Sequence, residues 1–229
     1  MTRPSLAPRV GLDHYPREEM RMARGILKVI LGNMFANKTG RLMHEIETLR
    51  EFGRKKILVL KPDIDTRSGK CLIRDYHGRT MESEEVCVSN PWTAFKTIRQ
   101  KESEIGSKFH MIAFDEVQFF AVDSGFFQVV DDLLNSGYDV MAAGLVLDFK
   151  REPFGCTLSL VGLCQGSHDC IWLTPLCARC GQPAPLPQRI IDGKPAPYHS
   201  PQVHVGGKES YEPRCYACHE LPGRPALYL

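Results

Sequence analysis

A length of 229 residues fits one medium-sized α/β domain, or one domain with a small appendage. The net charge of +2 gives no electrostatic basis for a dedicated nucleic-acid binder, which normally carries a strong basic bias. No stretch reaches the roughly 18 apolar residues of a membrane span, and the first residues lack the apolar segment of a signal peptide. We therefore expect a cytoplasmic protein that binds neither membranes nor nucleic acid.

The first quarter of the chain predicts a tail, a strand, a loop and a helix, in that order. Residues 1–24 are rich in proline and arginine, lack periodicity and are expected to form a mobile tail. The apolar run ILKVIL at 26–31 predicts a buried strand, and the loop GNMFANKT at 32–39 follows it. A helix is expected next. Its predicted apolar face comprises Leu42, Ile46, Leu49 and Phe52.

The following segments continue the alternation of strands and helices. Strands are predicted at 56–60, 109–114 and 139–147, and a hairpin at 70–76 and 80–88. Helices are predicted from Pro91, with Asn90 as the N-cap, to about Lys101, and again through the apolar residues at 127–134, ending near Gly137.

This alternation predicts an α/β fold with a mostly parallel sheet and flanking helices over 25–174. Its ligand site is expected at the carboxyl ends of the strands. Proline then crowds the chain, so 175–229 is expected to form a small second domain and a C-terminal tail.

The loop GNMFANKT has the strand–loop–helix context of a phosphate-binding P-loop. In such a loop, backbone N–H groups surround the phosphates, the lysine neutralises charge and the hydroxyl holds Mg²⁺. Lys38 and Thr39 fill the last two roles, but Asn37 replaces the second glycine of the motif. Asparagine tolerates positive φ better than most residues, so the backbone path is compatible with Asn37. The alternative is a plain strand–turn–helix junction that ends in Lys-Thr.

An acidic pair, Asp115 and Glu116, ends the apolar run at 109–114. Asp115 is placed like the aspartate that reaches Mg²⁺ in P-loop proteins. In an extended backbone Glu116 would point the other way, where it is a candidate general base for a substrate hydroxyl. The alternative is an acidic pair that ends a strand in solvent.

Two C-x-x-C pairs predict a structural zinc site. The four candidate ligands are Cys177, Cys180, Cys215 and Cys218. Four thiolates leave no open coordination position, so the expected role is structural, and a redox disulfide is the alternative. His219 is expected to be a bystander. The remaining cysteines are expected to be small buried apolar residues. They are Cys71, Cys87, Cys156, Cys164 and Cys170.

The segment VHVGGKESYEPRC, at 203–215, leads into the second cysteine pair. Gly206 and Gly207 allow a close backbone approach to a ligand, and Tyr211 can stack on a planar ring. A flexible turn with a surface tyrosine remains the alternative from the residues alone.

Together these motifs resemble the class II (cytosolic-type) thymidine kinases over about 27–219. The resemblance rests on GNMFANKT, KPDIDTR, DEVQFF, LVLDFKREPFG, the two cysteine pairs and VGGKESYEPRC, in that order. It implies a P-loop domain and a zinc-bound lasso that closes over the nucleoside. It also implies transfer of the ATP γ-phosphoryl group, with Mg²⁺, to the 5′-hydroxyl of thymidine or a related deoxypyrimidine nucleoside. Members of this family are commonly homotetramers.

The resemblance also implies roles for individual residues. Those expected to bind ATP and its Mg²⁺ are Gly32, Asn33, Met34, Phe35, Ala36, Asn37, Lys38, Thr39, Asp115 and Gln118. Glu116 corresponds to the catalytic base, and Asp65 and Arg67 to the catalytic loop near the reacting groups. The residues expected to line the nucleoside pocket are Met34, Phe119, Leu145, Phe149, Phe154 and Tyr211. The lasso residues expected to read the pyrimidine edge are Val203, Val205, Gly206 and Gly207.

Four positions depart from the family pattern: Asn37 in the loop, Gly40 in place of a hydroxyl residue, Val146 where the family often has Leu-Asp, and Pro187 in place of a threonine near the base 5-substituent. One alternative is a family member that binds nucleotide or nucleoside with catalysis weakened or lost because of Asn37. A zinc-ribbon nucleic-acid-binding protein is the alternative from another class, and the near-neutral charge argues against it.

Overall fold

The computed structural model describes residues 23–207 and 209–225, so nearly all of the predicted tail at 1–24 lies outside the described residues. In chain order the elements are β1 (Leu27–Gly32), α1 (Lys38–Glu51), β2 (Ile57–Pro62), β3 (Leu72–Arg74), β4 (Thr80–Glu82), β5 (Glu84–Val86), α2 (Thr93–Ile105), β6 (Met111–Phe114), α3 (Phe126–Asn135), β7 (Asp139–Gly144), α4 (Thr157–Val161), β8 (Cys170–Leu173), β9 (Leu186–Ile191), β10 (Lys194–Pro195) and β11 (Tyr211–Arg214). Among the described residues, no helix is both long enough and apolar enough to cross a membrane.

The main sheet has six strands in the order β5-β2-β6-β7-β1-β8, and every neighbouring pair is parallel. Parallel strands buried on both faces require apolar side chains at successive positions, which explains the runs ILVLKP and LKVILG. The predicted α/β fold with a mostly parallel sheet is confirmed.

Each face of this sheet carries its own hydrophobic core. Val29 and Leu31 of β1 pack with α2, α3 and α4, whereas Ile30 packs with α1 and with Ile73 of β3. Successive side chains of a strand point to opposite faces, so one apolar run serves both cores. Burying each of these side chains contributes about 2 kcal/mol before the cost of ordering the chain.

The segment after β8 forms a separate three-stranded antiparallel sheet in the order β10-β9-β11. It carries little helix, in keeping with the predicted small second unit. A division of the chain at residue 175 stays a prediction.

The predicted hairpin exists, but the predicted bounds of its second strand, 80–88, are wrong. β3 and β4 pair antiparallel, and the chain then leaves the hairpin at Ser83. β5 instead joins the edge of the main sheet, parallel to β2. The backbone N–H of Asp63 donates to the carbonyl of Val86 across this junction, at 2.9 Å.

Three predicted boundaries also differ. The strand predicted at 139–147 ends at Gly144, because the N–H of Leu145 donates to the side chain of Gln118 at 3.0 Å instead of extending the ladder. The second helix begins at Thr93 and extends to Ile105. Asn90 is not its N-cap; its carbonyl accepts the N–H of Thr93 at 3.1 Å, one turn earlier.

Several side chains lie in environments that the sequence did not predict. Phe52 is 76% exposed and lies just after the last residue of α1, so it does not belong to the buried face of that helix. Of the five cysteines outside the C-x-x-C pairs, only Cys156 is buried, whereas Cys71 is exposed. The prediction that these are buried apolar residues is therefore wrong for Cys71, whereas Cys87, Cys164 and Cys170 are partly buried and the last two pack against the core. Finally, α4 and β8 were not predicted as elements.

Candidate nucleotide and nucleoside site

The loop between β1 and α1 is shaped by two backbone requirements. A Cβ on Gly32 would lie 2.3 Å from the carbonyl oxygen of Leu173, so only glycine permits this approach of β1 to β8. Asn37 adopts a left-handed conformation (φ 58°, ψ 39°), the conformation in which asparagine substitutes best for glycine. The backbone path expected for a phosphate loop is therefore compatible with the asparagine.

Buried polar side chains hold the loop together. The ammonium group of Lys38 donates to the carbonyl of Asn33 at 3.0 Å, and burial lowers the pKa of Lys38. The amide of Asn33 in turn donates to the carbonyl of Ala184 at 3.0 Å and accepts the N–H of Met34 at 2.6 Å. Asn33 thus ties the loop to the segment just before β9.

The loop and the acidic pair meet through Thr39 and Asp115. The hydroxyl of Thr39 donates to Asp115 Oδ2 at 2.9 Å, while the buried Oδ1 has no hydrogen-bond partner among the described residues. Burial, followed by the charge of Glu116, raises the pKa of Asp115 to about 7. A hydroxyl beside a carboxylate with an unused oxygen is a donor set that suits Mg²⁺.

The backbone at Glu116 was expected to be extended, but it is not. Glu116 adopts a left-handed conformation (φ 55°) that turns the chain sharply after β6. Its carboxylate pairs with Arg67 at 2.7 Å and accepts a hydrogen bond from Gln118. Burial alone would raise the pKa of Glu116, but the charges of Arg67 and Lys38 outweigh it and lower the pKa to about 2. Glu116 is therefore an ionised carboxylate.

Arg67 joins the two acidic groups that flank it. Besides Glu116, it contacts Asp65 Oδ1 at 2.7 Å. Lys61 holds the turn at 65–69 that carries Arg67. Its side chain is fully buried, and its ammonium group donates to the carbonyls of Asp65 at 2.8 Å and Gly69 at 2.6 Å. No pattern in the sequence indicated that this lysine is buried.

A cavity of about 270 Å³ opens between the loop, the acidic pair and the segment before β11. Most of the predicted site residues line it. They are Met34, Phe35, Asn37, Lys38, Thr39, Arg67, Glu116, Gln118, Phe119, Leu145, Phe149, Phe154, Gly206, Gly207 and Tyr211. Asp65 and Asp115 line an adjoining cavity of about 150 Å³. The predicted residues that line neither are Gly32, Asn33, Ala36, Val203 and Val205.

The four predicted cysteine ligands lie together. The Sγ atoms of Cys177, Cys180, Cys215 and Cys218 are all within 4.8 Å of one another. Tetrahedral zinc with Zn–S bonds of about 2.3 Å separates its sulfur ligands by about 3.8 Å, so the cluster fits Zn²⁺. His219 lies outside the cluster; its ring contacts Arg151 at 3.2 Å and the carbonyl of Pro187 at 3.3 Å.

Comparison with known proteins agrees with this geometry. Residues 25–219 match the family model described as thymidine kinase. A thymidine kinase of Thermococcus kodakarensis is 39% identical over 198 residues, which cover 86% of this chain and 95% of that protein. The chain belongs to the thymidine kinase family. The resemblance carried by its motifs is thereby confirmed.

In this thymidine kinase family member, several cavity residues escaped the sequence analysis. Three come from the β3–β4 hairpin: Arg74, Asp75 and Tyr76. The others are Asp148, which follows β7, and Gln202 and His204, which precede β11. The Asp148 carboxylate accepts the N–H groups of Lys150 and Glu152 and the side-chain amide of Gln202, at 2.7, 3.0 and 2.8 Å. The available sequence signal was an aspartate between two apolar residues, Leu147 and Phe149. Asp148 is buried, and a buried carboxylate needs hydrogen-bond partners.

Proposed function

We propose that this thymidine kinase family member transfers the γ-phosphoryl group of ATP to the 5′-hydroxyl of thymidine or a related deoxypyrimidine nucleoside. The observation that carries the proposal is a single cavity that joins three parts: the Lys38–Thr39 loop, the Glu116 carboxylate and a pocket of aromatic side chains. Family membership supports the same reaction.

The loop is the proposed donor side. Backbone N–H groups of 33–39 bind the phosphates. The ammonium group of Lys38, which donates to the Asn33 carbonyl in this structure, neutralises the charge of the phosphates when ATP binds. Thr39 and Asp115 would hold Mg²⁺, which supplies charge neutralisation between the phosphates when bound. The free oxygen of Asp115 favours this assignment.

The aromatic end of the cavity is the proposed acceptor side. Phe119 and Phe154 meet edge to face, with ring centroids 6.0 Å apart, and leave a slot beside Leu145 and Tyr211. A planar pyrimidine suits such a slot, and the backbone at Gly206 and Gly207, which line the same cavity, is the proposed contact for its edge. Pro187 also lines this cavity, so it is a proposed contact for the substituent at position 5.

Glu116 is the proposed acceptor of the 5′-hydroxyl proton. Its lowered pKa makes it a weak base, which suits phosphoryl transfer because the loose transition state needs positioning more than strong proton abstraction. Arg67, held by Lys61 through the turn and by Asp65 directly, is proposed to orient Glu116 and to neutralise the transferring phosphoryl group.

The cysteine cluster is proposed to hold a structural Zn²⁺. The ion would tie β11 to the segment before β9 and so position the lasso that leads to Tyr211. All four ligands are protein thiolates, so no position is left for substrate.

Two further proposals concern the whole protein. The family resemblance supports a homotetramer, which light scattering of the purified protein would test. The five cysteines outside the proposed zinc site are thiols, including Cys164 and Cys170 with their Sγ atoms 3.6 Å apart, and they support a reducing compartment such as the cytoplasm.

A nucleoside-panel kinase assay tests the proposed reaction. The purified protein is incubated with ATP, Mg²⁺ and each of thymidine, deoxyuridine, deoxycytidine, deoxyadenosine and deoxyguanosine. We expect turnover with thymidine and none with the purine nucleosides, and Lys38→Ala serves as the inactive control. Absence of turnover with every nucleoside would contradict the proposal.

A further inference from the structure

The β3–β4 hairpin carries an arginine to the boundary between the two cavities. Arg74, the last residue of β3, lines both the larger cavity, which holds the phosphate loop, and the smaller one, which holds the acidic pair. Of the residues that line both, Arg67 and Glu116 already have assigned roles. Arg74 and its neighbour Asp75 do not.

The hairpin is held firmly enough to place this side chain. Ile73 and Met81 are buried against α1 and the main sheet. Asp75 Oδ1 accepts the N–H groups of His77 and Arg79, each at 2.9 Å, which rigidifies the turn. The ring of Tyr76 meets Phe35 of the phosphate loop edge to face at 6.2 Å, so the hairpin is docked on that loop.

The guanidinium group of Arg74 nevertheless has no partner in the part of the chain that the structure describes. Among residues 23–207 and 209–225, nothing forms a hydrogen bond or an ion pair with its guanidinium group, and the side chain is exposed. The adjacent Asp75 cannot serve, because its second oxygen is engaged by Arg79 at 2.7 Å. The other cations of the cavity are committed, Lys38 to a loop carbonyl and Arg67 to two carboxylates.

We propose that Arg74 is a phosphate-binding residue for the reaction, contacting the phosphoryl group at the 5′ position of the nucleoside. This inference rests on the proposed function. The Arg74 side chain lines both cavities, the larger one with Lys38 of the proposed ATP-binding loop and the smaller one with the carboxylates of Asp115 and Glu116. A guanidinium group binds two phosphate oxygens at once, and charge spreads over those oxygens during transfer.

The test compares Arg74→Ala with Lys70→Ala in the full-length protein. Lys70 is an exposed cation of the same segment that lines neither cavity, so its loss controls for net charge. Affinities for thymidine and for thymidine 5′-monophosphate are measured by calorimetry, and kcat with ATP and thymidine by the kinase assay. Circular dichroism checks that both variants fold.

We expect Arg74→Ala to weaken binding of the monophosphate roughly tenfold, to leave thymidine binding within about twofold, and to lower kcat by a similar factor of about ten. Arg74→Lys should recover part of the loss, because it restores the charge without the two-pronged contact. The effect should shrink at high salt, since the side chain is exposed.

The outcomes separate this inference from the function on which it rests. A wild-type protein that phosphorylates no nucleoside contradicts the proposed function. A wild-type protein that phosphorylates thymidine, with an Arg74→Ala variant that binds the monophosphate as tightly as Lys70→Ala does, overturns the role of Arg74 alone. Equal losses for thymidine and its monophosphate also overturn it, because they would mean that the hairpin had shifted.

Discussion

The side chain of Asn37 occupies the space that a Cβ at position 40 would need. An ideal Cβ on Gly40 would lie 2.2 Å from Asn37 Oδ1 and 2.7 Å from its Cγ. The two departures of this chain from the P-loop family pattern are therefore in contact. Gly40 gives the asparagine side chain room over the first turn of α1, where it makes no capping hydrogen bond.

This contact predicts that substitutions at the two positions are coupled. Gly40→Ser alone should push the Asn37 amide toward the phosphates and raise KM for ATP about fivefold. With Asn37→Gly in the same chain, the serine should cost little. A double-mutant cycle on KM and on the free energy of unfolding should give a coupling of about 1 kcal/mol. Additive effects would show that the contact has no energetic consequence.

Lys61 is predicted to be essential for the geometry of the Asp65–Arg67 turn. Lys61→Met should remove both hydrogen bonds and leave two carbonyl groups without their donor, lowering the free energy of unfolding by about 2–4 kcal/mol. Because Arg67 then loses its position, kcat should fall more than KM for thymidine changes. Lys70→Met, at an exposed site, is the control. Normal stability and turnover in Lys61→Met would remove this role.

Glu116→Gln is predicted to lower kcat roughly 100-fold, the smaller end of a general-base contribution, while KM for ATP stays within about threefold. The pKa of Glu116 is lowered to about 2, so its carboxylate stays ionised at any higher pH. The loss should be constant from about pH 8 to 9, above the pKa of about 7 of Asp115, which the charge of Glu116 helps to raise. Glu51→Gln, at the exposed end of α1, controls for charge. Unchanged turnover would exclude Glu116 as the base.

Cys215→Ser is predicted to abolish stoichiometric zinc and to lower the free energy of unfolding by several kcal/mol, because metal binding contributes directly to folding. Cys71→Ser removes an exposed cysteine outside the cluster and should change neither quantity. Elemental analysis and denaturant unfolding provide the two readouts. Wild-type protein purified without bound zinc would contradict the assignment.

The sheet and the loop were predictable because their signals are local. Apolar runs of five or six residues, each followed by glycine or charged residues, predict buried parallel strands, and the spacing of Lys38 and Thr39 from Gly32 predicts the phosphate loop. β8 escaped because its apolar run, CIWL, is only four residues long, and its place at the edge of the sheet, where Trp172 is exposed, has no local sequence signal.

The details of the site were less predictable, since they depend on contacts between distant parts of the chain. The turn at Glu116 follows from a left-handed backbone that its residue type does not indicate. The bond from Gln202 to Asp148 spans 54 residues, and no local pattern reveals it. The hairpin was predicted, but its docking on Phe35 through Tyr76 was not, so Arg74 could not be placed in the cavity.

The order of the strands puts β7 between the strand that leads into the loop and the strand that ends in the acidic pair. β7 ends in Ala142, Ala143 and Gly144, and a Cβ on Gly144 would lie 2.7 Å from both the Val117 and Thr157 side chains. No residue of β7 lines either cavity, and the strand separates the two strands that carry the loop and the acidic pair. A Cβ at Gly144 would also lie 3.2 Å from the side-chain oxygen of Gln118, the residue that hydrogen-bonds Glu116 and Leu145, so substitution there would disturb the acidic turn without touching a ligand.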